Sequence, residues 1–332
     1  MIAKRLASSP CKKIFIDDAL SHRLIKSADE LAALSSINDP ESAAAIDTLL
    51  DDELADLRDV ICLDPRQHAA LISGLPFPAV NGPTPASWQE CRGKVRTWRF
   101  MLAIVASAVG RPFGWLGQQE GRLITDLVPT KGQEAQQVGA SSSTSLTLHT
   151  EDAFHPRRST HFALFGLRNP KKVGTTLAPC DQAWKHLDAD SRKVLMTPGA
   201  VILPDDSYAD FDNSAPESMT AVWERDHGLG LRFDPSYTDR STGSPRWWQA
   251  YEQLAAALDS VTYSVPIEPG QLVIINNDTC VHGRVPFTAD YNGTDRWMLR
   301  INMMEHNTQR LPSESAEPGY GQRIRCIDGQ VL

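Results

Sequence analysis

The chain has 332 residues, of which 41% are hydrophobic and 22% charged, an ordinary composition for a soluble globular protein. The net charge is -8 and the isoelectric point about 5.6, so binding to the phosphate backbone of nucleic acid is not expected. No apolar run approaches the roughly 20 residues that span a bilayer, and the N-terminal segment lacks the apolar stretch of a secretory signal. The six cysteines form no C-x-x-C pair, which favours free thiols in a reducing cytoplasm.

The N-terminal third has the spacing of amphipathic helices. Ser27, followed by Ala-Asp-Glu, predicts a helix start. Residues 40–60 carry apolar residues at helical spacing, with Pro40 near the start. Residues 86–109 predict a longer helix. Its apolar stripe contains Trp98, Met101, Leu102 and Val105.

Beyond this part, short β-type runs alternate with turn residues. Strands are predicted near 122–128, 145–151, 160–168, 199–204, 220–224, 261–267, 271–276 and 294–303. One helix is predicted at about 245–259. The pattern favours a single domain over 1–332, mainly β with helices. A mostly helical part, 1–110, would decorate a jelly-roll core over 111–332.

Two segments place a carboxylate two residues after a histidine. His186-Leu-Asp188 lies in a stretch with helical spacing, where residues i and i+2 point roughly 200° apart and cannot share a metal. His149-Thr-Glu151 lies in a predicted strand, where i and i+2 face the same side. His149 and Glu151 are therefore the better pair of metal ligands.

A third ligand candidate is His282, which follows the apolar run QLVIINNDTC. Two histidines and one carboxylate form the facial triad of non-haem iron(II) oxygenases and leave coordination positions open. The same three residue types also suit a zinc hydrolase. A binding protein without catalytic activity is a further alternative.

The strand that follows supplies candidate anion-binding residues. Alternation places Arg296, Met298, Arg300 and Asn302 on one face and Trp297, Leu299, Ile301 and Met303 on the other. The second set is predicted to be core. Beside a metal triad, two arginines on the opposite face would line a polar cavity, because guanidinium is a bidentate donor to carboxylates.

These motifs resemble those of the clavaminate synthase-like iron(II)/2-oxoglutarate-dependent oxygenases, above all the arginine and lysine hydroxylases of antibiotic pathways. The resemblance rests on HTEDAFHP at 149–156, FALFGLRNP at 162–170, HGRVPF at 282–287 and DRWMLRIN at 295–302. It runs from about Gln118 to Asn302. It implies a double-stranded β-helix that binds Fe(II), 2-oxoglutarate and O2 and hydroxylates an unactivated carbon of an amino acid, C3 ahead of C4.

The resemblance also implies roles for individual residues. His149, Glu151 and His282 would bind iron, with no further catalytic residue beyond the iron site. Arg296 would bind the distal carboxylate of 2-oxoglutarate with Thr176, or alternatively with Thr175. Arg300 would bind the α-carboxylate of the substrate, and Gln118 and Glu151 its amino group. Asp234 would contact the substrate side chain.

One departure from the arginine hydroxylases concerns substrate choice. They carry D-x-D where this chain has Asp234-Pro235-Ser236. A guanidinium is best met by paired carboxylates, whereas one carboxylate suits an ammonium, so the sequence favours lysine over arginine. Citrulline, ornithine or a cyclic amino acid such as pipecolate stays open, as does desaturation. The expected partner is thus a small amino acid, with no nucleic acid and no membrane.

Overall fold

A computed structural model describes residues 11–77, 80–91, 93–205, 207–208, 217–305, 309–317 and 319–332. Its strands are β1 Lys12–Phe15, β2 Ala69–Ser73, β3 Arg111–Trp115, β4 Ile124–Leu127, β5 Leu146–His149, β6 His161–Arg168, β7 Gly174–Pro179, β8 Val222–Arg225, β9 Gly228–Leu231, β10 Tyr263–Pro266, β11 Leu272–Asn276, β12 Cys280–Arg284, β13 Trp297–Met304 and β14 Ile324–Cys326. Its helices are α1 Asp18–Leu34, α2 Glu41–Asp51, α3 Ala55–Val60, α4 Arg96–Val109, α5 Cys180–Trp184, α6 Ala189–Leu195 and α7 Pro245–Val261. No helix among these residues is long and apolar enough to cross a membrane.

Two sheets form the core of the jelly roll. The larger has the order β1-β2-β11-β6-β13-β3-β14, with β4 also paired to β13, and the smaller has the order β10-β7-β12-β5. Apolar side chains from both sheets pack together between them. They include Phe162, Leu164, Val273 and Met298 from the larger sheet and Leu177, Val265 and Cys280 from the smaller one. The two N-terminal strands β1 and β2 join the larger sheet, so the N-terminal part is not purely helical.

Helices cover the outer faces of both sheets. The four N-terminal helices pack on the larger sheet, and Trp297, Leu299 and Ile301 are buried in that layer as predicted from the alternation of β13. Helices α5 to α7 pack on the smaller sheet through a second apolar layer that includes Ala178 and Val281. The layered packing leaves the inner faces of the strands as the place where polar side chains can meet in a cavity.

The ends of several predicted elements were wrong. Helix α1 begins at Asp18, because the carboxylate of Asp17 caps it by accepting the Leu20 amide at 2.9 Å, whereas Ser27 is buried inside the helix. The segment 40–60 breaks into α2 and α3, and 86–109 into a 3-10 turn at Trp88–Cys91 and helix α4. Residues 199–204 form only an isolated bridge at Ile202. Strands β7 and β12 were not predicted, because they are buried on both faces and show no alternation.

Candidate metal centre and its cavity

The three predicted metal ligands meet at one end of the smaller sheet. His149 on β5 and His282 on β12 are directly opposed in the antiparallel ladder, and their ring centres are 4.2 Å apart. Strand β5 ends at His149, so strand alternation does not position Glu151, contrary to the argument from sequence. Glu151 nevertheless reaches the same point from the turn that follows.

The ligand atoms lie close enough to bind one ion. One candidate atom from each of His149, Glu151 and His282 lies within 4.8 Å of the other two. The Glu151 Oε2 atom is 3.3 Å from His282 Nε2 and 3.9 Å from His149 Nε2. Over the part of the chain that the structure describes, this is the one cluster of three or more such residues with metal-binding spacing.

Both histidines are held with Nε2 free to bind a metal. His149 Nδ1 lies 2.8 Å from the Thr147 carbonyl oxygen, and His282 Nδ1 lies 3.1 Å from the His149 carbonyl oxygen. A carbonyl oxygen only accepts, so each Nδ1 donates a proton to it, and Nε2 is the ring nitrogen that faces the other candidate ligands. Two imidazole nitrogens and one carboxylate oxygen fit a facially bound iron(II) ion.

Electrostatics favour the metal-binding protonation states of His149 and Glu151. Burial and the neighbouring His282 lower the pKa of His149, so its ring is neutral near pH 7. Burial opposes ionisation of Glu151, but Arg300 and the two histidines outweigh it and hold the pKa of Glu151 below its usual range. The centre therefore presents a neutral imidazole at His149 and a carboxylate at Glu151.

Arg300 links the metal centre to the predicted substrate residues. Its guanidinium donates to Glu151 Oε1, to Gln118 Oε1 at 2.7 Å and to Thr125 Oγ1 at 3.2 Å. Burial lowers the pKa of Arg300, but Glu151 and Asp152 outweigh this and raise it, so the side chain is cationic. Gln118 is buried and donates to Ser207 Oγ at 3.1 Å. The structure thus brings Arg300, Gln118 and Glu151 together, the three residues that are predicted to bind the α-carboxylate and amino group of the substrate.

A cavity of about 550 Å³ opens beside these residues and reaches Arg296 and Arg284. Both arginines are buried, and no carboxylate among the described residues pairs with either. The Nε of Arg296 has no partner in this part of the chain. Burial and the neighbouring Arg284 lower the pKa of Arg296 to about 9. An anion at this end of the cavity would neutralise a buried cation.

Of the two threonines considered, Thr175 and not Thr176 lines the cavity. Thr175 pairs with Arg284 across the β7–β12 ladder, and Thr176 pairs with Gly283. Directly opposed residues of an antiparallel pair share a face. Thr176 therefore lies on the outer face, where a Cβ on Gly283 would come within 2.9 Å of its hydroxyl oxygen. The choice of Thr176 from the sequence is not supported by this geometry.

Asp234 also lines the cavity, and Asp205 joins it there. Asp234 accepts from the Ser236 and Tyr237 amides at 3.0 and 3.2 Å, and burial raises its pKa to about 6. Burial likewise raises the pKa of Asp205, and Asp205 contributes to the raised pKa of Asp234. The sequence analysis missed Asp205, because only the tertiary fold brings its segment to the site. The side chain of Ser207 was missed for the same reason, whereas Arg284, two residues after His282, was missed because β12 was not predicted as a strand.

Asp152, next to Glu151, is a further missed residue. Its carboxylate accepts from Trp115 Nε1 and from the Tyr208 hydroxyl, both at 2.7 Å. Burial and the neighbouring Glu151 raise the pKa of Asp152 to about 7. Asp152 thereby ties the segment carrying Asp205 and Ser207 to the turn that carries Glu151. In the sequence, only the position of Asp152 next to the candidate ligand Glu151 indicated that it belongs to the site.

The alternative pair His186 and Asp188 does not reach the metal centre. The helix predicted across them is interrupted: α5 ends at Trp184, α6 begins at Ala189, and both residues lie between. Asp188 caps α6 by accepting the Ser191 amide at 2.7 Å. Its carboxylate therefore has a structural role at a helix end.

Comparisons with known proteins agree with this arrangement. Residues 23–302 match the family described as taurine catabolism dioxygenase TauD, TfdA family. Enduracididine beta-hydroxylase of Streptomyces hygroscopicus is 35% identical over 260 residues, which are 70% of this chain and 75% of that protein. L-ornithine/L-arginine 3-hydroxylase of Catenulispora acidiphila is 30% identical over 268 residues, 72% of this chain and 77% of that protein. Other relatives include an L-asparagine oxygenase and L-lysine 4-hydroxylases.

A solved structure gives the same fold. The crystal structure of the non-heme iron oxygenase OrfP with Fe and alpha-ketoglutaric acid matches with a TM-score of 0.77 and 32% identity, covering 88% of this chain and 94% of that chain. The same oxygenase has been solved with Fe, succinate and (3S)-hydroxy-L-Arg.

Proposed function

The chain belongs to the TauD/TfdA dioxygenase family, and we propose that it hydroxylates C3 of a free L-amino acid whose side chain is cationic, a guanidinium ahead of an ammonium. Its class is that of an iron(II)- and 2-oxoglutarate-dependent amino-acid hydroxylase, as its hydroxylase relatives and the iron- and alpha-ketoglutarate-bound neighbour indicate. The observation that carries the substrate proposal is the pair of carboxylates, Asp205 and Asp234, that lines the cavity beside the metal centre.

In this proposal His149, Glu151 and His282 hold the iron, and Arg296 binds the distal carboxylate of 2-oxoglutarate. Bound iron, with 2-oxoglutarate and O2, supplies the oxidation that converts a substrate C–H to C–OH and releases succinate and CO2. Arg296 suits this anion because it is a buried cation without a carboxylate partner among the described residues. Thr175 lines the same cavity as Arg296 and replaces Thr176 as the hydroxyl donor.

The α-carboxylate of the substrate is assigned to Arg300. Guanidinium has five N–H donors, and the contacts to Glu151, Gln118 and Thr125 use three of them. Gln118 and the Glu151 carboxylate are acceptors for the α-ammonium. Because Arg300 touches a proposed iron ligand, an amino acid anchored on it has its first carbons nearest the metal. This anchoring favours C3, the carbon next to Cα, and two of the relatives are named as beta- or 3-hydroxylases.

The distal end of the substrate is assigned to Asp205 and Asp234. The sequence argument for lysine assumed a single carboxylate, because Ser236 replaces the second acid of D-x-D. Asp205 supplies a second carboxylate from a different segment of the chain. Two acceptors suit the planar fork of a guanidinium better than a single ammonium, so the proposal places arginine-like substrates before lysine. One relative is named as an L-ornithine/L-arginine 3-hydroxylase, and arginine carries such a guanidinium.

The test is turnover under defined metal and substrate conditions. Metal-free protein is reconstituted with Fe(II) without oxygen and then given O2, 2-oxoglutarate and one of arginine, ornithine, lysine, citrulline or pipecolate. We expect succinate and a 3-hydroxylated product, with arginine-like substrates highest and citrulline and pipecolate lowest. A clear preference for a neutral amino acid would contradict the role of Asp205 and Asp234.

The iron ligands are tested by His282→Ala. This variant should lose iron and turnover, because removing one of three ligands leaves an incomplete site. If His282→Ala retains iron and wild-type succinate release, the proposed ligand set is wrong.

A further inference from the structure

We propose that the buried side-chain amide of Asn277 is a positioning residue for the iron site, because it holds the main chain of Glu151 in the place where its carboxylate meets the two histidines. The inference rests on the proposed iron ligands and adds a residue that does not touch the metal. Strand pairing fixes His149 and His282, but Glu151 lies beyond the end of β5. Something other than the sheet must therefore hold Glu151.

Asn277 contacts both main-chain groups of Glu151. Its Oδ1 accepts the Glu151 amide at 2.8 Å, and its Nδ2 donates to the Glu151 carbonyl oxygen at 3.0 Å. The same Nδ2 donates to the Ser159 carbonyl oxygen at 2.9 Å. Asn277 is fully buried. One planar amide thus fixes Glu151 from two sides and ties it to the far end of the same loop.

The position of Asn277 also joins Glu151 to the second histidine. Asn277 lies in the turn between β11 and β12, five residues before His282, and its own amide donates to the Thr160 carbonyl oxygen at 2.8 Å. Hydrogen bonds therefore join the turn between β11 and β12 to the loop 151–160. Because β12 leads directly from this turn to His282, Asn277 sets the spacing between Glu151 and the strand that carries the second imidazole.

Only an amide satisfies this arrangement. The contact needs an acceptor toward the Glu151 N–H and a donor toward two carbonyl oxygens at the same time, and an asparagine side chain provides both. An aspartate of nearly the same shape keeps the acceptor but turns an oxygen toward the carbonyls of Glu151 and Ser159. The carbonyl oxygens of Glu151 and Ser159 then lose the amide donor at position 277. They face a carboxylate oxygen instead, which repels them and displaces the loop that carries Glu151.

Asn169 provides a matched control within the same chain. Its Oδ1 accepts the Val173 amide at 2.9 Å, and its Nδ2 donates to the carbonyl oxygens of Val173 and Ile267, each at 3.0 Å. It is buried as well. Substitution at Asn169 removes the same three kinds of side-chain-to-backbone hydrogen bond, and Asn277 makes one more contact, from Nδ2 to Ser159 Oγ at 3.4 Å. The main chain that Asn169 holds belongs to no proposed iron ligand.

The experiment compares Asn277→Asp and Asn277→Ala with Asn169→Asp and Asn169→Ala. Thermal unfolding of each metal-free variant measures the structural cost, and anaerobic titration with Fe(II) alone measures metal affinity without co-substrate or turnover. We expect similar losses of thermal stability at the two sites. The dissociation constant for Fe(II) should rise by about tenfold or more in the Asn277 variants, as for other groups that orient metal ligands, and by less than about twofold in the Asn169 variants.

A second readout is the ratio of hydroxylated product to succinate at saturating 2-oxoglutarate. It should fall in the Asn277 variants, because a displaced Glu151 also displaces Arg300 and the substrate bound there. Wild-type iron affinity and an unchanged product ratio in folded Asn277→Asp would overturn the proposal, and so would equal losses in the Asn169 variants. Failure of the iron ligands themselves is distinguishable, because His282→Ala would then retain iron.

If no Asn277 variant folds, hydrogen exchange in the wild-type protein tests whether Asn277 holds Glu151. In the metal-free wild-type protein the Glu151 amide should exchange as slowly as the Val173 amide, since each is held by a buried asparagine. Exchange at the rate of an unprotected loop amide would show that Asn277 does not hold Glu151 before the metal binds.

Discussion

The protein buries charged side chains in two neighbouring regions. In one region they form ion pairs with each other, and in the other they have no partner of opposite charge among the described residues. Around the loop that follows Glu151 lies a paired network of three arginines and three acidic residues. Its members are Arg158, Arg232, Arg310, Asp278, Glu314 and Glu317. The closest pairs, Arg310–Asp278 and Arg232–Glu317, are both at 2.9 Å. Every cation in this network meets a carboxylate of the protein.

The cavity in front of the metal centre has the opposite character. Arg296 and Arg284 lie at one end without a carboxylate partner, and Asp205 and Asp234 lie along it without a cation, as far as the described residues extend. Burial raises the pKa of Asp234 and lowers that of Arg296, which means that both charged forms are disfavoured by the protein around the cavity.

The contrast indicates which buried charges serve the fold and which serve ligands. A buried charge without a partner is costly, so a protein retains it where a ligand completes the pair. The paired network fixes the loop that follows Glu151: Arg232 donates to the carbonyl oxygens of Ala153 and Phe154, and Arg310 to those of Arg158 and Ser159. The unpaired charges in the cavity instead match an anion at Arg296 and a cation at Asp205 and Asp234.

The largest effect is expected in the paired network. Arg158→Met should lower the free energy of unfolding by about 3–5 kcal/mol, because it leaves Glu314 and part of Asp278 as uncompensated buried charge. Chemical denaturation of the metal-free protein measures the change. The double variant Arg158→Met/Glu314→Leu should recover much of the loss, since it removes both charges. A single variant as stable as wild type would mean that the network does not stabilise the fold.

The same type of substitution should have the opposite effect on stability in the cavity. Because the pKa of Arg296 is lowered to about 9, its charged form destabilises the folded state at pH values below about 9. Arg296→Met should therefore leave the metal-free protein at least as stable as wild type at pH 7. Its affinity for 2-oxoglutarate should fall by about 2–5 kcal/mol, the cost of breaking a buried charged contact. Unchanged 2-oxoglutarate affinity would shift the co-substrate assignment to another arginine, with Arg300 the first candidate.

A smaller effect is expected at Asp234. Asp234→Asn keeps an acceptor for the Ser236 and Tyr237 amides but removes the charge. It should weaken kcat/KM for a cationic substrate by about 1–3 kcal/mol and hardly change it for citrulline. Kinetics with arginine and citrulline as paired substrates measure this difference.

The pKa of Asp234 also predicts a pH dependence. The folded carboxyl has a pKa of about 6, above the ordinary aspartate value, so folding takes up a proton between those values and wild-type stability falls as pH rises through this window. Asp234→Asn should be as stable as wild type near pH 4 and more stable at pH 8. Its kcat/KM for arginine should lack the fall that wild type shows below about pH 6. Equal stability of the two proteins at pH 8 would contradict the raised pKa.

The sequence predicted those parts of the site that depend on local periodicity and motifs. The alternation along β13 correctly separated Trp297, Leu299 and Ile301 in the core from Arg296 and Arg300 at the cavity. Contacts between segments that are distant in the chain could not be predicted from these local patterns. Asp205 comes from a loop with no periodicity, and Asn277 acts on Glu151 across 126 positions of the chain. The choice between Thr175 and Thr176 needed the register of β7 with β12, which two largely buried strands do not reveal.

The smallest effects are expected at the alternative histidine and aspartate pair, which lies outside both charged regions. His186→Ala and Asp188→Ala should leave iron content at the wild-type level, because the structure places these residues between α5 and α6 and not at the metal centre. Asp188→Ala should lower the thermal stability, since its carboxylate caps the first turn of α6 through the Ser191 amide. His186→Ala has no such cap to lose and serves as the control. Iron content and thermal unfolding of the two variants test this directly. Loss of iron in either would mean that the pattern of a histidine followed two residues later by a carboxylate marks a metal ligand at this position too.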